Sequence, residues 1–215
     1  MKISNFLHDL SLATKEFDLN YDCFSKGQLE SKEWLVDIMR DVQTYRSLDF
    51  GTVFVLCGWY GILPAMMYLK GISYEKIRSF DIDDKCWRIA DRINRTSVAN
   101  GWKFKAATED IFKIRFSGHM YKLWSYAKET DFVVSDVPDT IINTSCEHTS
   151  PDWFKYIPRQ KIVVLQSNDF WDGDGHINCI SSLNEFKKMF PLKDIYYEGQ
   201  AGFPKYTRYT IIGVT

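Results

Sequence analysis

"VFVLCGWYG", Val53 to Gly61, decides how this chain is read. Five uncharged residues, Val53 to Cys57, run into two glycines, Gly58 and Gly61. A short, β-branched, uncharged run bounded by glycines predicts a buried strand. A strand covered on both faces has no polar side to show. Further on, "RSFDIDD" (78–84) repeats the plan with acids in place of glycines. Glycines close one strand and carboxylates close the next, and that pairing carries the functional reading below.

Working outward, "ILPAMMYLKG" (62–71) reads as a helix, with Pro64 in the first turn, where proline is tolerated, and Gly71 past the end. "KIRSFDI" (76–82) is the second strand, and "DDKCWRIADRINRTSVANG" (83–101) a helix capped by Asp83 or Asp84 and closed at Asn100-Gly101. "WKFKAAT" (102–108) is the third strand. Upstream, Leu35, Ile38, Met39 and Val42 give "LESKEWLVDIMRDVQTYR" (29–46) helical spacing, starting near Ser31. Phe6, Leu7, Leu10, Leu12 and Phe17 suggest one short amphipathic helix before it.

Downstream, a helix is expected near "YKLWSYAKE" (121–129). Two strand-like runs follow, 131–136 and 139–145, split by Pro138. Residues 139–144 are expected to be the central strand and 131–135 an added edge element. "SPDWFKYI" (150–157) is a short helix, "QKIVVLQS" (160–167) a buried strand and "SLNEFKKMF" (182–190) a helix. "DIYYEGQ" (194–200) and "YTRYTIIGV" (206–214) are the last two strands, joined through "AGFPK".

Alternating strands and helices imply a parallel sheet with helices on both faces, and the closing hairpin turns the last strand antiparallel. The expected fold is α/β: a doubly wound, seven-stranded, mostly parallel sheet in residues 51–215, preceded by an N-terminal helical extension, residues 1–50. Tyr21, Phe24 and Trp34 of that extension either cover a ligand or pack on the sheet.

The chain has 215 residues, 45% of them apolar, enough for a substantial core. With 27 Lys and Arg against 28 Asp and Glu, it lacks the basic excess of a protein that tracks long nucleic acid. A small-molecule or nucleotide substrate is the expected partner. No run approaches a membrane span, and the first residues do not read as a signal peptide. Five scattered cysteines with no CxxC pair suggest reduced thiols in a cytoplasmic setting and no zinc motif. The acids of "QSNDFWDGDGHINC" (166–179) miss the calcium-loop pattern, so no metal is expected.

In a doubly wound sheet, ligands bind outside the carboxyl ends of the strands. Glycines there let a ligand approach backbone closely. An acid at the end of the neighbouring strand, Asp81, is placed to accept hydrogen bonds from two ribose hydroxyls. "CGWYGILP" puts Trp59 and Tyr60 between its glycines and lacks the third glycine of a dinucleotide-binding loop. A nucleoside without a pyrophosphate fits better.

This pattern over residues 50–215 resembles the class I S-adenosylmethionine-dependent methyltransferases. The resemblance implies that Gly58, Trp59, Tyr60 and Gly61 form the first cofactor motif, although its glycine spacing is unusual and the acid that often precedes the first glycine is missing. It implies that Asp81 holds the ribose, with Ile82 beside it, and that Glu109 or Asp110 of "ATEDIF" meets the adenine amino group. It places "IINTSCEH", with Asn143 at its entry, where methyl meets acceptor. Methyl transfer from S-adenosylmethionine is the implied activity. Aminocarboxypropyl transfer from the same cofactor and a catalytically inactive binding protein of this fold are the alternatives.

"NTSCEH" (143–148) sets polar side chains and a thiol directly after an apolar strand. Glu147 or His148 is a candidate general base. Cys146 is a candidate nucleophile, as in cytosine-C5 methyltransferases, although the proline usual before that cysteine is absent. Alternatively the loop only positions substrate. Ser145, Asn168, His176 and Asn178 are candidate substrate contacts. The motif of adenine-N6 enzymes, Asn or Asp before two prolines and an aromatic, is missing.

Overall fold

A computed structural model describes residues 2–215. Its sheet has seven strands: β1 (Thr52–Leu56), β2 (Lys76–Asp81), β3 (Phe104–Thr108), β6 (Thr140–Asn143), β7 (Ile162–Asn168), β8 (Asp194–Gly202) and β9 (Thr207–Val214). Their order is β3-β2-β1-β6-β7-β9-β8. β9 lies antiparallel between β7 and β8, and the other central pairings are parallel. The order reverses between β1 and β6, which makes their carboxyl ends the topological switch point. A separate two-stranded ribbon pairs β4 (His119–Ser125) with β5 (Thr130–Asp136).

β1 shows why the sheet is covered twice. All five of its residues are buried. Val53 and Val55 face a core with Leu35, Met39, Leu63, Met67, Ile142, Val164 and Ile212. Phe54 and Leu56 face the opposite core with Phe80, Ile141, Leu165, Trp153 and Phe186. Successive strand residues point to opposite faces, so an uninterrupted apolar run fills two cores.

The helices are α1 (Ile3–Glu16), α2 (Lys26–Arg46), α3 (Ile62–Leu69), α4 (Cys86–Ile93), α5 (Arg95–Ala99) and α6 (Leu183–Met189). α2 begins after Ser25, well before Ser31, which is buried within the helix and donates to Gln166 Oε1 at 3.5 Å. Residues 83–101 form two helices because Asn94 interrupts them. Its side-chain N–H groups donate to the carbonyls of Gly61 and Ala90, both at 2.9 Å. "SPDWFKYI" becomes a 3-10 turn, Pro151–Tyr156.

The helix expected near "YKLWSYAKE" does not form. β4 alternates instead: Tyr121, Leu123 and Ser125 are buried, Met120 and Lys122 exposed. Its hairpin pairing with β5 and the bond from Tyr121 to Asp136 decide for a strand. The same pairing takes 131–136 out of the main sheet and leaves β6 as the central strand, next to β1. Trp34 packs against the first core and Phe24 against the helix cluster around α1, whereas Tyr21 is exposed.

Candidate active site at the carboxyl ends of the strands

The loop after β1 turns tightly. Cys57, Trp59 and Gly61 all have positive φ, 51°, 46° and 68°. Non-glycine residues held in this region cost about 1–3 kcal/mol each and persist where the surroundings over-determine them. The surroundings here are clear. Gly58 N–H donates to Phe80 O at 2.9 Å, and Trp59 N–H donates to Asp81 Oδ2 at 2.8 Å. A side chain at Gly58 would overlap Ser79 Oγ, and one at Gly61 would come within 2.7 Å of Asn94 Nδ2. Both glycines are therefore demanded by packing against β2 and α4. The backbone between them is what faces the switch point.

Asp81 ends β2 half-buried. Its Oδ1 accepts from Asp83 N–H at 3.1 Å, so each oxygen takes one backbone bond and retains one lone pair. Burial pushes its carboxyl above the usual range, opposed by the N–H groups of Asp83 and Trp59. Asp83 is thus a partner of Asp81, and its own Oδ1 accepts from Lys85 N–H at 2.9 Å. Ile82 beside it is 73% exposed, an apolar surface at the lip of the site.

After β3, Glu109 N–H donates to Asp81 O at 2.8 Å, so these two strand ends are in register. Asp110 Oδ1 caps the turn that follows, accepting from Phe112 N–H at 3.0 Å. Glu109 Oε2 lies 3.3 Å from His119 Nε2 of the ribbon. Burial holds the His119 imidazole below its ordinary value, against the pull of Glu109. Nothing in the sequence around His119 marks it, because its partner Glu109 lies on another strand end.

Beyond β6, Asn143 is fully buried. Its Oδ1 accepts from Ser145 N–H at 2.8 Å, and its Nδ2 has no partner. Cys146 is fully buried too, and burial holds its thiol well above the ordinary range. A nucleophilic cysteine needs an accessible thiolate, and Cys146 offers neither accessibility nor charge. Cys57, half-buried at the end of β1, is likewise pushed up by burial to about 12.

Glu147 is 3% exposed. Its Oε1 accepts from Arg208 Nη1 at 2.8 Å and from Asn168 Nδ2 at 2.6 Å, and its Oε2 has no partner. Oε1 of Glu147 is thus committed to an ion pair and an amide N–H. Arg208 reaches it from β9 and had not been singled out; the signal was a lone cation in an apolar strand. Asn178 Nδ2 donates to Cys146 O at 3.3 Å, so Asn168 and Asn178 both tie the two loops together. Ser145 is half-buried, and His148 and His176 lie edge to face with ring centroids 4.5 Å apart.

The N-terminal helices reach this end of the sheet. Asn20 N–H donates to Tyr60 OH at 3.4 Å, and Lys32 of α2 sits close enough to Arg208 to feel its charge. Burial, and then Arg208, lower Lys32 to about 8. The unfolded chain, with lysine near about 10.4, binds more protons than the fold between those values. Stability should therefore rise with pH across that window. Lys32→Met is expected to remove the rise, read as the difference between wild-type and variant urea midpoints at about pH 7 and about pH 10. An identical slope in the variant would show that Lys32 titrates normally.

A cleft of about 900 Å³ opens elsewhere, between the end of α1, α4–α5 and β4, lined by residues that include Trp87, Arg88, Arg92, Trp102 and Trp124. It contains none of the strand-end residues above.

No family model and no curated protein sequence matches the chain. Solved structures do. Magnesium protoporphyrin IX methyltransferase from Synechocystis with bound SAM is 12% identical, with a TM-score of 0.60 over 97% of this chain and 90% of that one. An S-adenosylmethionine-dependent methyltransferase from Clostridium acetobutylicum is 12% identical, with a TM-score of 0.54 over 90% and 96%. Geranyl diphosphate methyltransferase in complex with GPP and sinefungin is 9% identical, with a TM-score of 0.57 over 87% and 78%.

Proposed function

We propose that this chain, which has the fold of the class I S-adenosylmethionine-dependent methyltransferases, is itself such a transferase. The cofactor would lie across the ends of β1, β2 and β3, and the acceptor, a small molecule or nucleotide, between the loops after β6 and β7. The observation that carries the reading is Asp81. It is half-buried at the end of β2, next to the switch point, and each oxygen retains a lone pair after bonding the loop. Two adjacent ribose hydroxyls match that pair of oxygens.

The remaining residues fit a nucleoside. The exposed Ile82 offers an apolar face to a base, and Glu109 or Asp110 would accept from an exocyclic amino group. The positive-φ backbone of residues 57–61 supplies a concave turn with the Trp59 N–H already committed to Asp81. When bound, the cofactor supplies an electrophilic methyl on a sulfonium. The chain's own work is then to orient the acceptor and exclude water. Glu147 and His148, in the loop after β6, would hold an acceptor, with Ser145 and His176 beside them.

One observation favours the non-enzymatic alternative. The two glycines have packing reasons of their own, against Ser79 and Asn94. S-adenosylhomocysteine separates the readings. At about 100 times its dissociation constant it should add about 2.7 kcal/mol to the stability of the fold, read as a raised melting temperature. Asp81→Ala should lose about tenfold or more in affinity, as removing a charged hydrogen-bond acceptor costs roughly 1.5–3 kcal/mol. No shift at millimolar ligand in a folded sample would leave the binding-protein reading standing.

A further inference from the structure

We propose that Glu147, His148 and His176 form a binding site for one divalent transition-metal ion of the zinc type. No spacing in the sequence points to it, because the two histidines lie on different loops, 28 positions apart by number. Folding brings one ligand atom from each of the three within 4.8 Å of the others, the one such grouping among the described residues.

The loops are registered against each other by backbone. The N–H groups of Ile177 and Asn178 both donate to Glu147 O at 2.9 Å. The histidines are also oriented by backbone. His148 Nδ1 lies 3.1 Å from Gly175 O, and His176 Nδ1 lies 2.5 Å from Phe170 O. A carbonyl can only accept, so each Nδ1 carries the hydrogen. Each Nε2 is then left with its lone pair. Imidazoles that ligate metals are held in this way, by a bond from the other ring nitrogen.

Glu147 completes the set. Arg208 and Asn168 occupy Oε1, and Oε2 is buried with no partner, an arrangement that leaves one oxygen for an ion. Space is kept by glycines: a Cβ at Gly173 would stand 2.5 Å from the His176 ring, and Gly175, at φ +69°, backs onto His148. Donors at about 2.1 Å from a tetrahedral ion stand about 3.4 Å apart, so separations of up to 4.8 Å require the side chains to close by as much as about 1.4 Å. His148 is exposed and free to make that adjustment.

Two imidazoles and one carboxylate select zinc, iron or cobalt over magnesium or calcium, which prefer all-oxygen sets. Three protein ligands leave positions open. On the transferase reading above, and only on it, an open position would take an oxygen of the acceptor.

The test needs no acceptor and no cofactor. Zn²⁺ and Mg²⁺ are titrated calorimetrically into the full chain, and Co²⁺ is followed by its visible ligand-field bands. One equivalent of Zn²⁺ should bind, Mg²⁺ should not compete, and Co²⁺ should give bands of nitrogen and oxygen ligation. His148→Ala, His176→Ala and Glu147→Gln should each weaken Zn²⁺ binding at least tenfold. His8→Ala, and Cys179→Ser beside His176, should leave it intact. No Zn²⁺ binding by the folded wild type would overturn the proposal. So would binding that survives His148→Ala, an exposed position where folding is not at stake, or thiolate-type cobalt bands. S-adenosylhomocysteine binding is measured separately, so failure of one result leaves the other unchanged.

Discussion

Arg208→Met is expected to destabilise the protein by about 3–5 kcal/mol, the cost of stranding a buried charge without its partner. That is a large share of the roughly 5–15 kcal/mol that holds a typical domain together. Glu147 would lose the bond from Arg208 Nη1 and keep only the one from Asn168. Arg208 also donates to Thr144 O at 3.3 Å, so the turn after β6 would lose its tether to β9. The control is Arg208→Met combined with Glu147→Leu, which removes both charges and should recover most of the loss. Urea unfolding measures both. A single variant within about 0.5 kcal/mol of wild type, the range of an ordinary surface change, would show that water reaches Glu147 and that the ion pair is not dry.

The second large effect is expected at the other fully buried pair. Asp91 of α4 and Lys105 of β3 form an ion pair with both side chains at 0% exposure. Asp91 Oδ1 also accepts from Ala106 N–H at 2.9 Å, and Lys105 Nζ donates to Trp124 O at 2.8 Å. The pair thus joins helix, sheet and ribbon at the wall of the 900 Å³ cleft. Asp91→Leu leaves the ammonium without a counter-charge and should cost about 3–5 kcal/mol. Lys105→Met with Asp91→Leu should cost far less, because both charges go together. Additive losses in the double variant would show that the two residues act independently. Neither variant touches the strand ends, so S-adenosylhomocysteine affinity should not change in whatever fraction stays folded.

Much of the fold was readable residue by residue. Val53–Leu56 and Val163–Leu165 are uninterrupted apolar runs that only a doubly covered strand accommodates. Pro64, Gly71 and Asp81 marked where helices and strands begin and end, whereas the helix expected to be capped by Asp83 or Asp84 starts at Cys86, after Lys85, with no side-chain cap. The final hairpin followed from two strands with no helix between them. These signals are local: a side chain's preference, a cap, a period of two or 3.6 residues.

The errors lie where a partner segment, and not local spacing, decides. "YKLWSYAKE" offered no decisive period, and its pairing with 130–136 across a turn decided for a strand. Ser31 resembles a helix start, but α2 begins at Lys26 and leaves Ser31 inside the helix, facing Gln166. Asn94 gave no hint that it would split a helix in order to bond Gly61 O.

For the candidate site, the sequence by itself determined which segments meet: strand ends carrying Gly58–Gly61, Asp81, Glu109–Asp110 and Asn143–His148. Strand alternation in a parallel sheet sends every such end to one edge. Only the tertiary structure decided what each side chain does there. It buried Cys146 beyond reach, paired Glu147 with Arg208 from β9, gave Gly58 and Gly61 packing roles against Ser79 and Asn94, and brought His176 onto Glu147 and His148. Desolvation, ion pairing and ligand geometry depend on distances between residues far apart in the chain, and no local pattern encodes those distances.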